Sequence, residues 1–164
     1  MGQGNFITLA HEAKHMERIQ REGKIKFYSK YFFPQILGVL VLLMAVPLFI
    51  WSTWVAGLIV ALAALPFFLP WPATFRAQLE LEAYSLNMAI EYWTTGKVSD
   101  YTKERIYQAM VGRFYYRMSW DKEDAMEDIL VEQLKITKAP KTYAERSYLN
   151  LIVYTICMDE LKTN

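Results

Sequence analysis

The chain has 164 residues and a formal net charge of +1, enough for one domain but without the basic footprint of a nucleic-acid binder. Apolar residues make up 54% of it, more than a soluble surface can share out evenly, so the excess has to be gathered in one place. The single cysteine, Cys157, excludes an internal disulfide, fits a reducing compartment and reads as a small apolar residue of the last helix.

Residues 1–30 are polar and basic and lack the apolar stretch and small-residue cleavage site of a signal peptide. They are predicted to form a helix carrying His11-Glu12-Ala13-Lys14-His15, an HExxH sequence that contains both histidines of the chain. Positions i and i+4 of a helix stack on one face about 6 Å apart, so both imidazoles can reach one tetrahedral zinc at ~2.1 Å. Glu12 then projects beside the metal, where it can take a proton from a zinc-bound water. Catalytic zinc generally needs a third protein ligand. The alternative is that both histidines are solvated residues of a charged helix, alongside Lys14, Glu17, Arg18, Arg21 and Glu22.

Residues 31–75 contain no Asp, Glu, Lys or Arg. That run is roughly twice the ~20 residues needed to cross a bilayer once, and it predicts a transmembrane helical hairpin. The two passes are residues 36–50 and 55–68, joined by Trp51-Ser52-Thr53-Trp54. Tyr31, Phe32 and Phe33 at the entry, Trp51 and Trp54 at the turn, and Phe67, Phe68 and Trp71 at the exit would form interfacial aromatic belts. Each pass is near the lower limit of spanning length, so a thinned bilayer or a re-entrant hairpin is also open. Lys24, Lys26 and Lys30 precede the run, Arg76 follows it and the turn is uncharged, so the positive-inside rule predicts both termini in the cytoplasm. Pro34 and Pro47 are tolerable kinks, whereas Pro70 and Pro72 predict a break before a new helix near Thr74. A core hairpin inside a soluble assembly or larger particle is the alternative.

Residues 76–98 are predicted as a helix ended by Gly96, with Glu80 and Glu82 in one turn. In residues 99–164, Ser99 or Asp100 caps the first of three predicted helices, 101–118, 121–137 and 141–161. Ala125, Met126, Ile129, Leu130 and Leu134 form an apolar stripe on the second; Tyr148, Ile152, Thr155 and Ile156 form one on the third. Phe114, Tyr115, Tyr116 and Trp120 make an aromatic cluster, and the acids from Asp121 to Asp128 lack calcium-loop spacing.

HExxH on one helix, followed by Glu80-Leu81-Glu82-Ala83 on another, resembles the gluzincin metallopeptidases, and most nearly the membrane-bound HtpX-like peptidases, whose glutamate motif reads E-F-x-A-D. The chain is also similar to short HExxH proteins of phages and bacteria, with a basic aromatic segment, here Gly23 to Tyr31, and an E-x-E-A-Y element, here Glu80 to Tyr84. The resemblance covers these motifs, and residues 99–164 match nothing in it. It implies an all-α zinc metallopeptidase with His11, His15 and Glu80 as zinc ligands, Glu82 as the rival third ligand, and Glu12 as general base. Tyr84 stands where the family pattern has Asp, so a phenol would have to replace the carboxylate that orients a ligand histidine; the alternative is that Tyr84 is an ordinary packed aromatic. Arg76 and Tyr84, one turn either side of Glu80, are candidates for stabilising the oxyanion, as are Tyr115 and Tyr116. Ten residues precede His11, too few for a sheet edge that binds extended peptide, so either a partner protein or second copy completes the substrate cleft or catalysis is weak. The expected partners are a lipid membrane and a peptide or protein substrate. The competing expectation is a non-catalytic membrane or virion-associated structural protein with a structural or degenerate metal site.

Overall fold

The structure, a computed structural model, describes residues 3–33, 35–51, 54–68, 74–112 and 122–163. The described residues form nine α-helices and one 3-10 turn, with no strand, so the all-α class read from the sequence is the one observed.

The predicted HExxH helix over residues 1–30 is two helices, α1 (Gln3–Glu22) and α2 (Lys24–Tyr31). Gly23 separates them with φ of 86°, in the left-handed region that an L side chain enters only at a cost. The turn carries α2 back so that Phe27 is buried with Ile19 of α1 and Leu79, and Tyr31 packs on that cluster. The basic aromatic segment is thereby folded against the histidines.

α3 (Gln35–Trp51) and α4 (Trp54–Ala64) pack against each other, and a 3-10 turn, Leu65–Phe68, follows. Their buried positions are the small residues Gly38, Ala45, Gly57 and Ala64, which let two backbones approach. The large side chains face outward: Met44 is 67% exposed, Trp51 84% and Trp54 69%. Among the described residues no single helix is long and apolar enough to cross a membrane; α2 and the first part of α3 qualify only as a pair, bent by 87°. The readings placed on Pro34, Ser52, Thr53, Pro70, Trp71 and Pro72 lie outside the described residues.

α5 (Thr74–Thr95) is the helix on which the rest is assembled, touching α1, α2, α6, α7 and α9. From Ser85 to Ile90 every residue is buried, as in a helix surrounded on all sides. Leu86, Met88, Ala89, Ile90 and Trp93 meet Ile106 and Met110 of α6 (Asp100–Val111), Ile129 and Ile136 of α7 (Lys122–Lys138), and Val153 and Cys157 of α9 (Tyr148–Thr163). Each fully buried aliphatic side chain contributes about 1.5–3 kcal/mol. Burial pushes the Cys157 thiol up to about 11, as suits the inert apolar role read from the sequence. Gly96 ends α5 with φ of 78°, and the Ser99 hydroxyl accepts from the Thr102 amide at 3.2 Å to cap α6.

The last third departs from expectation in three respects. α6 stops at Val111, and the aromatic cluster Phe114, Tyr115, Tyr116 and Trp120 lies outside the described residues. The single helix predicted over 141–161 is α8 (Pro140–Ala144) and α9, because Ser147 leaves the helical path to accept from the Asn150 amide at 3.1 Å and from Lys14 Nζ at 3.0 Å. The predicted stripes fare differently. On α7, Ala125 and Ile129 of the stripe are buried as expected, but Leu130 and Leu134 are exposed and Ile136 takes their place; on α9, Tyr148, Ile152, Thr155 and Ile156 all face outward while Asn150, Val153 and Cys157 face the core. α9 is apolar around most of its circumference, so packing rather than periodicity chooses the inner face.

Gly23→Ala is expected to lower stability by about 1–2 kcal/mol, the cost of a left-handed Ala. The cost is conformational alone, because a Cβ there meets nothing within 4 Å. Denaturant unfolding checks it; an unchanged midpoint would remove Gly23 as the reason α1 and α2 separate.

Candidate metal centre

α1 lies along α5, and the contact brings His11 and His15 onto Glu80. Four residues apart on one face of α1, the two rings stand edge to face with centroids 4.9 Å apart. His11 Nε2 is 3.4 Å from Glu80 Oε2 and His15 Nε2 is 3.6 Å from the same oxygen. One ligand atom from each of the three residues falls within 4.8 Å of the others. A tetrahedral ion bound at 2.0–2.1 Å spaces its ligand atoms about 3.3 Å apart, so both nitrogen-to-oxygen distances already stand close to the separation zinc requires. Three protein ligands also leave a fourth position for water or substrate.

Glu80 is 7% exposed, and its partners are divided between its two oxygens. Oε2 faces the histidines, while Oε1 accepts from the Tyr31 hydroxyl at 2.8 Å. That leaves Oε2 as the one oxygen offered to an ion. Burial works to raise the Glu80 carboxyl, but hydrogen bonds from His11, His15 and Tyr31 outweigh it and hold the group well below the usual carboxylate range. Arg76 stands behind, with Nη2 donating to the Tyr31 hydroxyl at 3.1 Å and its guanidinium 4.4 Å from the centroid of that ring. Arg76 therefore reaches the centre through Tyr31.

Glu82, the rival ligand, is turned elsewhere. Its Oε2 accepts from Arg18 Nη1 at 2.6 Å, and its Oε1 lies 3.5 Å from Arg21 and 3.9 Å from Lys14. Two residues from Glu80 is about 200° around a helix, so only one of the pair can face the histidines. Glu12 is exposed on α1. Tyr84 packs its ring on His11, with centroids 4.8 Å apart, but the group facing His11 Nδ1 belongs to Asn87, whose Nδ2 is 3.3 Å away. Of the two readings of Tyr84, the packed aromatic is the one observed, and a carboxamide one turn further on is the polar partner.

Asn87, Tyr31 and Phe27 were not among the residues singled out for the site. Asn87 is seven residues from Glu80, so Glu80, Tyr84 and Asn87 mark one face of α5, a signal available from the sequence once Glu80 is chosen. Tyr31 and Phe27 carry no such signal, because they reach His15 only through the turn at Gly23.

A cavity of about 550 Å³ begins at Tyr84 and Asn87 and extends along α5 between Phe6, Ile7, Ile90 and Arg105. The chain matches no known family model, no curated protein and no solved structure.

Glu80→Ala is expected to abolish stoichiometric zinc binding. Glu82→Ala should keep it and lower stability by on the order of 1 kcal/mol through loss of its partly exposed Arg18 pair. Metal analysis with isothermal titration checks both; zinc retained in Glu80→Ala and lost in Glu82→Ala would reverse the assignment.

Proposed function

We propose that the chain is a membrane-anchored zinc metallopeptidase that cleaves peptide bonds at the cytosolic surface of a bilayer. The observation that carries this reading is the convergence of His11, His15 and Glu80, from two helices separated by the apolar hairpin, on one point. A zinc ion held there supplies a Lewis acid and makes water nucleophilic near neutral pH. His11 and His15 would hold it through Nε2 and Glu80 through Oε2. Glu12, inside the motif and open to solvent, would take the proton of the attacking water and hand it to the departing amine. The cavity beside Tyr84 and Asn87 is lined by neither the three ligands nor Glu12 and meets the centre only through those two residues, which touch His11. The resemblance to gluzincins supports the same assignment from the motifs.

The hairpin supports the membrane part of the reading. Small residues at the helix contact and large apolar ones outside are the arrangement of helices packed in lipid. The charges flanking it, Lys24, Lys26, Lys30 and Arg76, favour a cytosolic site with both termini on that side. A cysteine placed at Thr53 is therefore expected to react with an impermeant reagent from the far side of the membrane and not from the cytosolic side. Labelling of sealed vesicles of both orientations measures this, and reaction confined to the cytosolic side means that the hairpin does not cross.

A non-catalytic metal site is the second reading, favoured by one feature. His11 Nδ1 meets the amide of Asn87, which raises ligand basicity less than a carboxylate does. Glu12→Gln separates the two. For a peptidase it should leave zinc content unchanged and reduce cleavage of unfolded protein substrates by about 10²–10⁴-fold, the usual contribution of a general base. Equal cleavage by wild type and Glu12→Gln removes Glu12 as the base, and no cleavage by either favours the structural site.

A further inference from the structure

We infer that Asn87 is the partner of His11 Nδ1 in both tautomers, and that its side-chain amide turns over when His11 changes from a hydrogen-bond donor to Glu80 into a metal ligand. This deepens the metal-centre reading and rests on it. Asn87 is 7% exposed, its Nδ2 is 3.3 Å from His11 Nδ1, and its Oδ1 is sealed from solvent with no hydrogen-bond partner among the described residues. A buried amide oxygen left unpaired costs about 1–3 kcal/mol, so its position calls for an account.

A neutral imidazole has one N–H and one lone pair. When Nε2–H points at Glu80 Oε2, 3.4 Å away, the lone pair is on Nδ1 and Asn87 Nδ2 donates to it. When the Nε2 lone pair is given to a metal, the proton sits on Nδ1, and Nδ2 would set donor against donor. Rotation of the Asn87 amide by half a turn exchanges Oδ1 and Nδ2 within nearly the same volume. Nδ1–H then donates to Oδ1, the atom that is unpaired in the other arrangement. Tyr84 holds the ring plane by packing, so the ring stays in place while the proton and the amide change over.

Asn is therefore a different device from the carboxylate of the family pattern. A carboxylate only accepts, and would hold His11 permanently in the metal-binding tautomer. An amide serves both states, so His11 can release and rebind metal without leaving either nitrogen unpaired.

The chain has two histidines, which makes the test direct. Two-bond ¹H–¹⁵N correlation spectra of the imidazoles, on full-length protein in detergent at about pH 8, where an ordinary imidazole is neutral, report each tautomer. Without zinc, wild-type His11 should be the Nε2–H form and Asn87→Asp the Nδ1–H form. Zinc affinity should rise about tenfold in Asn87→Asp and fall about tenfold in Asn87→Leu, which offers Nδ1–H no acceptor. A merely structural Asn87 would change the melting temperature of the variants without moving the tautomer or the affinity. The same His11 tautomer in wild type and Asn87→Asp, or zinc affinity unchanged in Asn87→Leu, overturns the proposal. Failure of the wild type to bind zinc at all overturns the metal centre instead, while the zinc-free spectra still decide what Asn87 does.

Discussion

A carboxylate buried without partners costs several kcal/mol or takes up a proton, and Glu80 is both buried and kept charged. The remainder of the site is arranged around that charge. His11 and His15 come from α1, Tyr31 from the end of α2 and Arg76 from the first turn of α5, so three helices are fixed in place by the need to compensate one group. The tight turn at Gly23 belongs to the same constraint, since without it Tyr31 could not return to Oε1. A divalent cation held by the same three residues would meet the charge of Glu80 directly.

The partners of Glu80 also tie the centre to the hairpin. Tyr31 is the last residue of α2, just before the apolar run, and Arg76 is the first charge after it. The residues that anchor the hairpin at its base are thus those that hold Oε1, and Phe33 packs on Phe75 at the same level, with ring centroids 6.0 Å apart. These contacts hold the end of α2 against the first turn of α5, close to Glu80.

The sequence carried the chemistry of the site further than its geometry. HExxH fixes the spacing of His11 and His15 on any helix, so their convergence was legible, as were the helical class, the Gly96 stop and the Ser99 cap. Glu80 against Glu82 was not decidable locally, because both occupy one turn and the choice depends on how α5 is rotated against α1. That rotation is set by Arg18 and Lys14, which draw Glu82 to the flank, and by Leu86, Met88 and Ile90, which bury most of the circumference of α5. The inner face of α9 was misread for a related reason. With apolar residues on every side, its own pattern names no face, and the polar Asn150 is buried because Lys14 needs its oxygen.

Lys14 shows why one of the two unspecified positions of this HExxH is not free to vary. It lies on the flank of the His11 and His15 stripe and is 5% exposed, a depth at which an unpaired ammonium costs several kcal/mol. Nζ instead donates to Glu17 Oε2 at 2.6 Å and to Ser147 Oγ and Asn150 Oδ1 at 3.0 Å each, so the break before α9 is itself part of the cation's coordination. Burial works to raise the Glu17 carboxyl, but Lys14 and Ser147 outweigh it, and Glu17 Oε1 also faces the Leu149 amide in the first turn of α9. Such a cation contributes little net stability against an apolar replacement, because desolvation offsets most of its attraction. What it supplies is direction. An apolar residue at position 14 could slide along α9, whereas an ammonium bound by three oxygens fixes the rotation of α1 about its own axis, and with it the line along which His11 and His15 meet Glu80.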